Sequence, residues 1–413
     1  MKIIKGGVTA AKGFEAASAA AGIKYEGRTD MALVYTEKEA VCAGTFTTNV
    51  VKAAPVQWDK ELVSQGKPVH AVVLNSGIAN ACTGEEGKKL NEYMAQVVAE
   101  QLTEKNEKKS IATTQVLTAS TGVIGMQLSE EPLAKGAILL KEGLSDSLDA
   151  GTKAAEAIMT TDTVSKQAAV SFEADGVTVT VGGMSKGSGM IHPNMATMLS
   201  VTTTDAAISK ELLQEMVSEI VSDTFNMISV DRDTSTNDTY LVLANGQSGV
   251  TIEKGTRAYD DFKEALFYVS ESLAKQMAAD GEGCTRLLEV QVINCETKEK
   301  AKILSKSVIT SNLVKTAVYG SDANWGRILC ALGYAGVEFN PEIIDLVLEA
   351  KEESLVIVQD GVATNYSEEK ATELLSEDKV TVICDMKEGT AKAIAWGCDL
   401  TYDYVKINGD YRS

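Results

Sequence analysis

The sequence predicts an α/β fold, and three observations predict it. Apolar runs of strand length alternate with longer stretches of helical periodicity. Small, polar, glycine- and threonine-rich loops follow the strands, where α/β folds place their sites. The 413 residues suffice for two or three domains with large cores, and 44% hydrophobic with 23% charged residues is the balance of a soluble globular protein.

Residues 31–36 and 41–47 read as strands bridged by a polar turn at 37–39. Residues 70–75 form an apolar strand running into the loop Ser76-Gly77-Ile78-Ala79-Asn80. A helix over 89–102 follows, with Leu90, Met94, Val97, Val98 and Leu102 on one face. Residues 110–119 read as a strand ending in Ser120-Thr121-Gly122. Thr-Gly at a strand end is either a plain turn or a pair of donors for a developing oxyanion, where losing one donor costs about 10²–10³ in rate. A helix over 145–159 ends in Thr160-Thr161-Asp162-Thr163, a polar stop or a ligand contact. Strands 167–173 and 177–181 are joined by Asp175-Gly176, a strong hairpin signal.

That hairpin feeds Gly182-Gly183-Met184-Ser185-Lys186-Gly187-Ser188-Gly189-Met190-Ile191-His192-Pro193-Asn194-Met195-Ala196-Thr197. Two nucleotide-binding readings of this loop fail. A phosphate-binding P-loop needs glycine before lysine, whereas Lys186 precedes Gly187; a dinucleotide fingerprint needs glycine where His192 stands and a helix afterwards. Met198-Leu199-Ser200-Val201-Thr202 reads instead as a buried strand. Two readings of Thr197 stay open on spacing alone. It is a strand residue after a tight turn, or a nucleophile whose base is its own α-amino group, freed by cutting Ala196–Thr197. Such an amine has a pKa of roughly 7.7–8.0, so a useful fraction is neutral near pH 7.

Past the loop, Ser209 caps a helix over 210–225. Residues 229–239 superficially suggest a calcium loop, but Thr236 stands where that loop needs glycine and Val242 where it needs glutamate. A helix over 259–279 buries Phe262, Leu266, Val269, Leu273 and Met277 and stops at Asp280-Gly281, placing Glu282 just beyond its end. Residues 284–294 open a further α/β part, with a helix near 308–318 and strands at 380–385 and 402–407.

Net charge is −19, which argues against nucleic acid and anionic membranes as partners. The seven cysteines show no CxxC spacing and point to reduced thiols in a cytosol. His70 and His192 are too few and too far apart for a zinc site, so no metal is expected. The N-terminus lacks the apolar core of a signal peptide and no apolar run is long enough for a membrane span; the expected location is cytoplasmic.

The run from Lys186 through Thr197 to Leu199 resembles the self-cleavage signature of the ornithine acetyltransferase (glutamate N-acetyltransferase) family of arginine biosynthesis. The segments 27–30, 43–49, 229–238 and 320–329 are similar to that family as well, so the resemblance covers essentially the whole chain. It departs at Ile78 (asparagine is usual), Arg232 (glycine), Ala323 (proline) and Ser413 (threonine).

The resemblance implies a layered αββα sandwich like that of N-terminal nucleophile enzymes, plus a smaller C-terminal α/β domain. It implies self-cleavage between Ala196 and Thr197, giving an α chain 1–196 and a β chain 197–413. Residues 197–283 would complete the sandwich, and 284–413 would form the smaller domain, its tail returning to the site. Thr197 would be the nucleophile of a ping-pong transfer from N2-acetylornithine to glutamate. Thr121 and Gly122 would form the oxyanion hole, and Thr160 (or, by a one-residue slip, Thr161), Lys186, Thr197, Glu282, Asn408 and Ser413 would bind substrate. No cofactor is implied; acetyl-CoA as an additional co-substrate is left open. The implied assembly is a heterotetramer of two α and two β chains. Two competitors stand beside this reading: an N-terminal-nucleophile amidohydrolase or aminopeptidase, and a non-catalytic binding protein with an intact chain.

Overall fold

The strand Met31–Phe46 organises the first half of the chain. The expected turn at 37–39 does not form. Glu37, Lys38 and Glu39 are exposed but include no glycine or proline to reverse the chain, and the strand runs through with a register shift between Tyr35 and Ala40. Its first half pairs antiparallel with Phe14–Ala19 and Val69–Asn75; its second half pairs with Thr239–Ala244. One strand therefore joins the two halves of a nine-stranded sheet. This computed structural model describes residues 1–105, 110–192 and 198–410.

Alternation along the strand builds the layers. Ala32 and Val34 face a core shared with Val72, Leu74, Leu117, Val201, Leu241 and Leu243, drawn from both halves of the sheet. Leu33 and Tyr35 face the other way, onto Leu90, Met94 and Val98 of the helix Gly84–Lys105 and Leu133 and Leu140 of Glu130–Glu142. On the far side, Tyr240 Oη meets Ser270 Oγ of the helix Arg257–Ala279 at 2.9 Å, and Gln214 of Lys210–Asp223 bonds the Gly44 backbone. Helix, sheet, sheet and helix thus stack as the αββα sandwich.

The Asp175-Gly176 turn joins Lys166–Ala174 to Val177–Lys186, with φ of 52° and 77° at its two residues. That pair of positive φ values matches the right-handed strand twist. Val177–Lys186 then pairs with Leu199–Thr204, so the connection containing Thr197 leaves and re-enters adjacent strands. Ser209 accepts the Leu212 N–H as the expected cap. The strand expected over 110–119 is confined to Val116–Ser120, after a short turn at Thr113–Gln115.

Two compact units are present: residues 1–187, 198–225 and 234–274 in one, and residues 188–192, 226–233 and 275–410 in the other. The second carries a seven-stranded sheet with Leu287–Cys295 near its centre, between Lys379–Asp385 and Ala391–Cys398. The helix expected near 308–318 is two helices, Lys298–Ile309 and Asn312–Tyr319, because Ser311 ends one and caps the next through the Val314 N–H. The strand expected at 402–407 is the helix Tyr402–Gly409. Thr401 accepts the Asp403 N–H, and this start signal outweighs the apparent alternation of Tyr402, Tyr404 and Val405. Among the described residues no helix is long and apolar enough to cross a membrane.

Candidate functional site

In the first unit, the loops after Val69–Asn75 and Val116–Ser120 lock together. Asn75 Oδ1 accepts from Ser120 Oγ at 2.7 Å, its Nδ2 bonds the Ile78 carbonyl, and Asn237 Nδ2 bonds both Ala79 O and Ser120 O. Ile78 is buried and bridges Val123 in parallel register, so this departure from the family pattern packs as core. Thr121 sits on this platform with its N–H already donated to Asn75 O. Its hydroxyl and the Gly122 N–H have no partner among the described residues. Gly122 has φ of 127°, and a Cβ there would lie 2.2 Å from the Gly77 carbonyl carbon. Only glycine fits, and the result is two adjacent donors without a protein partner among the described residues, on a rigid support.

Asp162 gathers a second group. Its carboxylate takes 2.7 Å bonds from buried Lys166 Nζ and from the Gly187 N–H, and a 3.1 Å bond from the Thr160 N–H. Lys186 Nζ is 3.9 Å from the same carboxylate. Burial pushes the Asp162 pKa up, but Lys186, Lys166 and these hydrogen bonds outweigh it and hold the carboxyl down at about 2. Thr160 and Lys186 are thus brought together around one fixed negative charge. Thr161 is half-buried beside them.

Ala196 and Thr197 lie outside the described residues, as does Ser413. The chain just after Thr197 is held through both backbone groups of one residue. Met198 donates its N–H to the Asp238 carboxyl and accepts the Thr239 N–H at 2.8 Å. Burial drives the Asp238 pKa well above the usual carboxylate range.

In the second unit, Glu282 is buried, at 7% exposure, and accepts from Asn408 Nδ2 at 2.7 Å. Although it lies just beyond the helix Arg257–Ala279, Glu282 does not project into solvent: its N–H bonds Ser188 O and its carboxylate packs over Gly189. A Cβ on Gly189 would lie 2.2–2.4 Å from that carboxylate. The left-handed residue after the helix is Gly283, not Gly281. Asp231 clamps the loop that follows Val177–Lys186, accepting the N–H groups of Met190 at 2.6 Å and Ile191 at 2.9 Å. Burial, then the Asp231 and Glu282 carboxylates, push the Tyr404 phenol up. His192 meets Ser229 Oγ at 3.0 Å; burial, then Lys306 and Arg232, bring its pKa down to about 4, so the ring is neutral at pH 7. Arg232 replaces the usual glycine at φ of 70° with its side chain exposed. Nothing in the structure explains Ala323.

The residues missed from sequence are the aspartates Asp162, Asp231 and Asp238. Each lies in a hydroxyl-rich or loop segment with no periodicity, and each acts through backbone N–H groups distant in sequence. Among the described residues no group of three or more metal-ligating side chains occurs.

A sequence model of the ArgJ family matches residues 15–413. The arginine biosynthesis bifunctional protein ArgJ of Caldanaerobacter subterraneus subsp. tengcongensis is 47% identical over 414 residues, spanning 100% of both chains. The glutamate N-acetyltransferase of Methanocaldococcus jannaschii is 46% identical over 421 residues, again spanning 100% of both. Among solved structures, ornithine acetyltransferase from Mycobacterium tuberculosis, complexed with ornithine, is 42% identical, with a TM-score of 0.44 over 47% of this chain and 99% of that one.

Proposed function

The chain belongs to the ArgJ family, and from that membership we propose that it transfers the acetyl group of N2-acetylornithine to glutamate in arginine biosynthesis. The observation that carries this reading is the end-to-end match to relatives named as ArgJ and as glutamate N-acetyltransferase.

Thr197 first attacks the Ala196 carbonyl; an N→O acyl shift and hydrolysis free its amine. That amine then serves as base while Thr197 Oγ attacks the acetyl carbonyl. The negative charge forming on the carbonyl oxygen is met by the Thr121 hydroxyl and the Gly122 N–H, a role supported by their lack of partners among the described residues and by their fixed backbone. Ornithine leaves, and glutamate takes the acetyl group from Thr197. Lys186, with Thr160, orients a substrate carboxylate; Glu282, oriented by Asn408, holds the ammonium group of ornithine, and Ser413 contributes to substrate binding. Asp238 and Asp231 position the chain on either side of the cleavage point. The mature enzyme is a cytoplasmic heterotetramer of two α and two β chains, without cofactor. Acetyl-CoA as an additional donor to glutamate is left to the assay below.

The test is intact mass under denaturing conditions for wild type and Thr197→Ala, followed by assay. Two fragments divided at Ala196–Thr197 in wild type, with an uncut variant, support the self-activated nucleophile. Acetylornithine plus glutamate should then yield acetylglutamate, and acetyl-CoA plus glutamate tests the second donor. Hydrolysis that a rising glutamate concentration fails to outcompete identifies an amidohydrolase instead. A whole, inactive wild-type chain overturns the mechanism.

A further inference from the structure

Cys284 directly follows the Glu282-Gly283 segment, and its side chain is half-buried. Backbone pairing lays this segment beside the end of Ala391–Cys398, with Leu287 opposite Cys398. Asp399 tightens the join: its Oδ1 accepts the Thr285 N–H at 2.8 Å and the Arg286 N–H at 3.2 Å, and its Oδ2 accepts Thr285 Oγ1 at 2.5 Å. Cys398 is buried and packs onto Gly281, where a Cβ would come within 2.7 Å of its sulfur. Cys284 Sγ reaches back to 3.1 Å from the Ala279 carbonyl. Both sulfurs are therefore gathered around the 279–281 backbone, where the Cys284 N–H also bonds Gly281 O at 2.9 Å. Lys315 adds a buried cation: its Nζ donates to Val230 O at 2.7 Å and stands 3.6 Å from Cys398 Sγ.

We propose that Cys284 and Cys398 form an oxidisable dithiol site that takes low-molecular-mass disulfides as oxidant and closes a bridge beside Glu282. The division of labour follows from exposure and charge. Cys284 is the thiol a small disulfide can reach. Cys398 is buried but poised as the resolving thiolate: the Cys284 hydrogen bond and the Lys315 ammonium outweigh burial and draw its pKa down to about 7. Cys398 and burial push the Cys284 pKa up, so as Cys284 attacks one sulfur of the oxidant its proton passes to the neighbouring Cys398 thiolate. The oxidant's S–S bond breaks, and its other half leaves as a thiolate that takes up a proton. Cys398 gives that proton to solvent, and its thiolate then attacks the Cys284 sulfur of the mixed disulfide and expels the second small thiolate, which takes up a proton. The two cysteines are oxidised to one disulfide, and the small disulfide is reduced to two thiols.

The bridge would tie Cys284 to the strand end behind Gly281 and so constrain the segment that presents Glu282 to Asn408. That consequence rests on the substrate role proposed for Glu282; the thiol chemistry does not. The experiment treats the full-length protein with oxidised glutathione, blocks remaining thiols under denaturing conditions, and maps the peptides by mass. Wild type should yield a cross-linked peptide joining Cys284 to Cys398, with both alkylation sites lost together and restored by dithiothreitol. Cys284→Ala and Cys284→Ser should leave Cys398 fully alkylated. Exposed Cys82 and Cys330 monitor general thiol reactivity in all three proteins. A glutathione adduct that persists on Cys284 while Cys398 stays free overturns the proposal. In bridged wild type the KM for N2-acetylornithine should rise several-fold and recover on reduction, with no such response in the variants. An unchanged KM in protein whose bridge is proven by mass overturns the link to Glu282. The peptide map decides the thiol chemistry even if the acetyl donor proves to be a different molecule.

Discussion

Lys186 Nζ stands 3.9 Å from Asp162 Oδ2, on a carboxylate whose other oxygen receives 2.7 Å bonds from Lys166 and the Gly187 N–H. One buried negative charge thus faces two buried cations and also holds the backbone at Thr160 and Gly187. Removing one partner of a buried ion pair leaves an uncompensated charge and costs about 3–5 kcal/mol. Asp162→Asn should therefore lower the urea midpoint strongly and weaken substrate binding through displaced Lys186.

The same residue sets a pH dependence. Its folded pKa of about 2 lies below the ordinary 3.8, so the folded state binds its proton less readily than the unfolded chain. The stability it contributes, about 2 kcal/mol, is present above pH 4 and is lost as pH falls towards 2. The gap in unfolding free energy between wild type and Asp162→Asn should narrow over that interval. A gap that stays constant down to pH 2 contradicts the assignment.

The oxyanion assignment makes a kinetic prediction. Thr121→Val removes the hydroxyl at nearly constant volume and leaves the N–H bond to Asn75 untouched. It should lower kcat by about 10²–10³, with little change in KM, and slow self-cleavage as well. Gly122→Ala is harsher, because its Cβ meets the Gly77 backbone at 2.2 Å and its φ of 127° disfavours alanine. It should lose both activity and thermal stability. Wild-type rates in Thr121→Val would remove the hydroxyl from the mechanism.

Much of the scaffold was legible in the sequence because its signals are local. Asp175-Gly176 announced its hairpin, Ser209 its helix, and the spacing of Phe262, Leu266, Val269, Leu273 and Met277 an amphipathic helix whose marked side chains are all buried. The failures share a physical cause. Residues 37–39 look like a turn only until both neighbouring strands are known to pair in one continuous line. Residues 402–407 look like a strand unless Thr401 is recognised as a cap. For the candidate site, Thr121, Gly122, Thr160, Lys186, Glu282 and Asn408 entered through family resemblance, and their types alone left a bland reading open. The aspartates that fix their surroundings escaped because their partners are distant: Asp231 reaches back 41 positions to Met190, and Asp162 forward 25 to Gly187.

Gly189 isolates the contribution of Glu282. A Cβ at that position intrudes on the Glu282 carboxylate rather than on backbone, and a carboxylate at the end of a flexible side chain can move aside. Gly189→Ala should therefore change the melting temperature little while raising KM for N2-acetylornithine, as the carboxylate shifts away from Asn408. Asn408→Ala should raise KM by a similar factor, and the double variant should not add the two effects, because both act through one side chain. Full additivity would separate Gly189 from Glu282.

Thr401 connects helix capping to the same side chain. Its hydroxyl donates to Gly283 O at 2.6 Å and accepts the Asp403 N–H at 3.2 Å, so one group ties the start of Tyr402–Gly409 to the residue after Glu282. Thr401→Ala should cost about 1 kcal/mol, the usual value of an N-cap. The helix carries Asn408 about two turns beyond this cap, so loosening its start should also free Asn408 from Glu282. Hydrogen exchange should then speed up across 402–409 with the central strand Leu287–Cys295 unaffected, and KM should rise. Thr401→Ser, which keeps the hydroxyl, should restore both. Failure of serine to rescue KM would mean that the threonine methyl, not the cap, positions the helix.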